Sequence, residues 1–84
     1  MIIVATNTNA IYLILANEER RHRGICWVHG QSVMNRFTVV MKDGGVFSDV
    51  TVHHRNPNGT FHLKSGLWSV DLKADQIESL IKTT

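Results

Sequence analysis

The sequence predicts a mainly β domain, an antiparallel meander folded into a small bent sheet, and three observations carry that expectation. Apolar and polar residues alternate with period two along "RFTVVMK" (36–42) and in the segments that follow it. "DGG" (43–45) and "NPNG" (56–59) separate those segments, and both are turn chemistry. The chain of 84 residues has room for one domain, 1–84, and no second.

The amino-terminal third is the least legible part. "MIIVA" (1–5) and "AIYLILA" (10–16) can form a hairpin around "TNTN". Alternatively, Thr8 or Asn9 caps a helix from Ala10 to Arg23, with Gly24 at its carboxyl end. Glu18 and Glu19 precede His22 and Arg23 by one helical turn, which suits the helix. Apolar periodicity nevertheless stops after Ala16. The reading preferred on balance is a strand, then a charged loop or loose helical turn, with "ICWVHG" (25–30) as another strand.

From Arg36 onward the pattern is regular. Phe37, Val39 and Met41 share one face of the first strand, and Asp43-Gly44 supplies a hairpin turn with positive φ. In "VFSDVTVHHR" (46–55), Val46, Ser48, Val50 and Val52 alternate against Phe47, Asp49, Thr51 and His53. That alternation makes Phe47 the phenylalanine expected outside the core. Pro57 presets φ for the next turn and Gly59 can take a left-handed bulge. "TFHLK" (60–64) is a short strand, "SG" (65–66) a tight turn, and "LWSVDL" (67–72) the next strand. The tail, 73–84, is either an amphipathic helix capped by Asp75 or a tight turn at 74–76 followed by a closing strand; the second is preferred.

The order from Arg36 to Ile81 is an apolar strand, "KDGG", a long second strand, a polar turn, a short strand and then "VDLKADQIESLI". This resembles the small SH3-like and Sm-like β-barrels, in which a Lys-Asp-Gly hairpin opens a strongly bent sheet. Their last segment runs as strand, single turn and closing strand, with an "Asp-x-Ile-x-x-apolar" pattern matched here by Asp75, Ile77 and Leu80. Similar patterns occur in Sm-like RNA-binding proteins and in Rof-type proteins that bind the transcription terminator Rho. The Asn-centred RNA-binding signature of Sm proteins is not evident, since "NPNG" is placed as a turn. The resemblance implies a small barrel that binds RNA or protein.

Composition narrows the classes further. A net charge of +2 with five histidines permits contact with RNA or an acidic protein surface but demands neither. Cys26 is the sole cysteine, which excludes an intramolecular disulfide and a thiolate-rich zinc site. A small domain without disulfides is expected in the cytoplasm. The start has neither the basic leader nor the apolar core of a signal peptide, and no apolar run is long enough for a bilayer.

Two clusters are candidate sites. His53, His54 and Arg55 lead into the NPNG turn, and pairing around that turn brings His62 near one of the histidines. Two imidazoles and a guanidinium are the groups that acid–base cleavage of RNA uses. Adjacent strand residues point to opposite faces, however, so His53 and His54 share a site only if a bulge intervenes. The plainer reading is the polar outer face of a hairpin. Arg20, Arg21 and Arg23 in "EERRHR" (18–23) offer forked donors for phosphate or carboxylate, partly offset by Glu18 and Glu19. A solvated connector is the plainer reading there.

Trp27 and Trp68 are expected in the core or at its edge, and Cys26 as a buried inert thiol, not a nucleophile paired with His29. No phosphate loop, zinc motif or nucleophile elbow is present. The expectation is therefore a small non-enzymatic binding or regulatory protein without cofactor or metal, contacting RNA or a protein partner. A homodimer through an exposed sheet edge is part of it. Compact accessory proteins of this type are also what phages and mobile elements encode to modulate host machinery. The alternative is a small histidine-dependent ribonuclease or toxin-like enzyme using His53 or His54 with His62 and Arg55.

Overall fold

In the computed structural model, which describes residues 2–29 and 35–83 and the side chains of 2–21 and 35–83, one helix packs on a six-stranded antiparallel sheet. The elements are β1 (Ile2–Ala5), α1 (Thr8–His29), β2 (Phe37–Met41), β3 (Val46–Arg55), β4 (Phe61–Ser65), β5 (Trp68–Leu72), a 3-10 turn (Ala74–Gln76) and β6 (Ile77–Lys82). Their order across the sheet is β1-β6-β2-β3-β4-β5. The meander β2–β5 is the one expected from the alternation, and the sheet is bent and unclosed. Each turn takes its bend at a glycine: φ is +97° at Gly44, +89° at Gly59 and +60° at Gly66. Asp43 tightens the first turn, its Oδ1 accepting from the Gly45 N–H at 2.9 Å.

The strand expected at 10–16 and residues 25–29 of the one expected at 25–30 are both parts of a single 22-residue helix. Its cap is Asn7 rather than Thr8 or Asn9: Asn7 Oδ1 accepts from the Ala10 N–H at 2.8 Å. Gly24 does not end it, since the backbone stays helical through His29. The periodicity failed for a definite reason. Ile11 and Leu15 are fully buried and one turn apart, and the next place on that stripe is Glu18. Its side chain is only 11% exposed. Glu18 Oε2 accepts from Asn35 Nδ2 and from Arg21 Nη1, each at 3.1 Å. An acid thus occupies a place that a pattern search reserves for an apolar residue.

β1 does not form a hairpin with the segment after it. It pairs with β6, Ile3 opposite Ile81, while the other side of β6 pairs with β2, Val39 opposite Leu80. The tail is the turn and strand preferred above, and Asp75 caps no helix. Gln76 closes that turn twice, donating its N–H to the Lys73 carbonyl at 3.0 Å and accepting the Lys73 N–H on Oε1 at 3.1 Å.

β3 is the strand that bends the sheet. Its first part pairs with β2 up to Val50 opposite Phe37, and its second part pairs with β4 from Thr51 opposite Lys64. The change of partner falls beside a bulge. Asp49 has φ +59°, a left-handed conformation that aspartate tolerates better than most residues. The extra residue reverses the alternation assumed above. Phe47, expected outside, packs against the core, while Val46, expected with Val50 and Val52, is exposed.

The core lies between α1 and the sheet. Ile11 and Leu15 meet Val50, Val52, Phe61, Leu63, Ile77 and Leu80 in one buried cluster. Leu15→Ala should cost about 2–5 kcal/mol, the range for large-to-small changes at packed sites. Denaturant unfolding would measure it, and a loss below about 1 kcal/mol would mean that α1 is not docked as described.

Candidate functional site

Three side chains form a row across β3, β4 and β5 on the face away from α1. His54 pairs directly with His62, and His62 directly with Asp71. The first pairing depends on a second bulge in β3, where the register slips between Val52 and His54. His53 is the extra residue, and its Nε2 lies 2.8 Å from Thr51 Oγ1. The intervening bulge thus exists, yet the partner that it brings to His54 is His62, not His53.

The row is tightly built. The His54 and His62 rings are stacked, with centroids 4.6 Å apart and planes at 15°. His62 Nδ1 lies 2.8 Å from Asp71 Oδ1. An ionised carboxylate only accepts, so Nδ1 is the protonated nitrogen and Nε2 is left for other contacts. Asn56 Nδ2 donates to the same Asp71 oxygen at 2.9 Å and to Thr60 Oγ1 at 2.8 Å. Thr60 in turn donates to Asn58 Oδ1 at 2.6 Å. The NPNG turn therefore fixes Asp71, and Asp71 orients His62.

The Asp71 carboxyl is held below its ordinary value of 3.8, first by the hydrogen bond with His62 and then by that with Asn56. The facing histidines add a smaller electrostatic pull in the same direction, and desolvation opposes it. Asp71 was not singled out in the sequence. The turn falls at Gly66-Leu67, one residue later than the 65–66 expected, and that shift sets His62 opposite Asp71 where the expected register would have set it opposite Ser69.

Arg55 stands apart from this row. Alternation along β3 turns it toward α1, where its Cζ lies 5.3 Å from the Tyr12 ring centroid and 6.0 Å from that of buried Phe61. The grouping of two histidines with Arg55 is thus divided between the two faces of the sheet. Arg55 instead meets Arg20: both line a groove of about 270 Å³ with Tyr12, Leu13, Ala16 and Glu19. Arg21 is engaged with Glu18. The side chains of Arg23, Cys26, Trp27 and His29 lie outside the described residues.

A third feature is apolar. Leu67, in the β4–β5 turn, is fully exposed, and Trp68 keeps 43% of its surface in solvent while its ring lies 5.6 Å from Phe47. Trp68 is thus a core-edge residue with an open face. It begins β5, which pairs with β4 alone among the described strands.

Among the described residues no group of three or more histidine, cysteine or acidic side chains is placed to hold a metal ion. No helix among them is long and apolar enough to cross a membrane. No protein family, curated protein or solved structure matches the chain.

The His62–Asp71 contact has a testable pH signature. A carboxyl whose folded pKa is depressed contributes stability above its unfolded pKa and loses it as pH falls through the folded one. The native chain should therefore be more stable than Asp71→Asn near neutrality, and the gap between the two melting temperatures should narrow as the pH is taken progressively below 3.8, the ordinary value of the carboxyl. A gap that does not narrow through that acid range would show that the contact is not ionic.

Proposed function

We propose that the chain is a non-enzymatic binding protein whose partner is another protein, held at the apolar β4–β5 end of the sheet. The observation that carries this reading is the pairing of fully exposed Leu67 with half-open Trp68 beside a strand edge that no other described strand pairs with. A tryptophan with one face packed and one in water is pre-ordered at little entropic cost on binding, and such residues dominate interface energies. A free edge adds main-chain hydrogen bonds to a partner's extended segment.

The geometry of the histidines favours binding over catalysis. A general acid and a general base usually face a substrate from opposite sides, whereas these two rings lie stacked side by side at 4.6 Å. The second reading, a ribonuclease, draws its support from the Asp71–His62 contact, which is the way enzymes orient a general base. Its residues would be His62, Asp71 and His54, without Arg55.

Capture from a cell lysate with the tagged chain and with Leu67→Asp distinguishes these readings. Leu67 is fully exposed, so the substitution should leave the fold intact while lowering capture by about tenfold or more. Equal capture by both would overturn the assignment of this face. Retention of RNA in place of protein, weakening steeply with salt, would favour an RNA partner. Cleavage of labelled RNA that disappears in His62→Ala would overturn the non-enzymatic reading.

A further inference from the structure

Arg20 and Arg55 are far apart in sequence, and the packing of α1 on β3 brings them to one groove. Among the described residues neither forms an ion pair with a carboxylate, whereas Arg21 is engaged by Glu18 and Arg36 by Asp49. We infer that this groove is a binding site for a small organic phosphate monoester, its phosphoryl group between Arg20 and Arg55 and its organic group against Leu13 and Ala16.

Arg55 is prepared for that role by its neighbours. Its guanidinium lies over the Tyr12 ring at 5.3 Å, with Phe61 at 6.0 Å. A cation held over a ring is attracted by the ring's electrons and commits no N–H donor to a carboxylate. A side chain ordered in this way loses less rotamer freedom when an anion arrives.

The charge arrangement selects phosphate over carboxylate. Each guanidinium presents a fork that matches two oxygens. A carboxylate has two oxygens and satisfies one fork. A phosphate monoester has three terminal oxygens and close to two negative charges near neutral pH, so it can meet both. Glu19, the acid in the lining, has its own interaction partner, and its charge moderates the attraction without filling the groove.

The apolar part of the lining argues for an ester in place of the free ion. Leu13 is 65% exposed on α1, a large apolar side chain in water beside two cations. With Ala16 it forms a wall that inorganic phosphate would leave wet. The volume of about 270 Å³ falls just under the range of about 300–1,000 Å³ typical of drug-sized pockets, so the ligand is small. This site is separate from Leu67 and Trp68, and its test does not depend on the proposal made for them.

The experiment is a titration of the full chain with phenyl phosphate, alongside inorganic phosphate and benzoate, read from the arginine Nε–H resonances. Saturable shifts are expected at Arg20 and Arg55, with phenyl phosphate tighter than either comparison probe. Arg20→Gln should weaken phenyl phosphate by about tenfold or more, the effect of losing one charge-assisted contact. Arg20 is exposed on a helix and glutamine is a good helix former, so this variant should remain folded, as circular dichroism would verify. Arg55→Lys keeps the charge and loses the fork, and should weaken binding similarly. Lys64→Gln, on the other face of the sheet, should bind as the native chain does. Shifts that never saturate, undiminished binding by Arg20→Gln, or equal affinity for benzoate and phenyl phosphate would each overturn the inference.

Discussion

The left-handed backbone at Asp49 is the constraint on which the rest of this molecule depends. A regular ten-residue strand would carry one set of side chains to one face from end to end. The bulge lets β3 leave β2 and take up β4 instead, so that a single strand serves two ladders. α1 packs against this strand, and the bulge turns Phe47 inward toward the core. The nearby Arg36–Asp49 contact, 3.6 Å and more than half exposed, adds little to this. What holds the bend is the burial of Val50 and Val52 on its inner side.

The two faces of the sheet consequently have different chemistry. Toward α1 lie the apolar cluster and, at its margin, the groove with Arg20 and Arg55. Away from α1 lies the row from His54 through His62 to Asp71, braced by Asn56 and the hydrogen bonds of the NPNG turn. That turn does more than reverse the chain. Because Asn56 reaches Asp71 on β5, it couples the β3–β4 corner to an edge strand two positions away. The polar network is complete in this region, and among the described residues no buried side-chain polar atom lacks a partner.

Edges of open sheets attract other chains unless something blunts them. β1 is short, and β5 carries Asp71 and Ser69 on its outer side, with Asp71 already held by His62 and Asn56. The apolar end of β5 has no comparable polar cover, since Leu67 and Trp68 lie open. The asymmetry between the two ends of one short strand explains why the proposed contact is placed at the Leu67 end.

Local chemistry by itself determined the meander, its three glycine turns and the closing turn and strand, because each is specified by residues adjacent in sequence. The position of His62 near a second histidine was legible for the same reason, through pairing around NPNG. Three things were decided only by tertiary structure. Glu18 occupies the core stripe of α1 because Asn35, distant in sequence, supplies the donor that allows it, and no periodicity search can see that donor. The bulges in β3 reassign faces by one residue each, separating Arg55 from the histidines and returning Phe47 to the core. Arg20 and Arg55 meet only because a helix with almost no legible period docks on a strand whose bend leaves room for it.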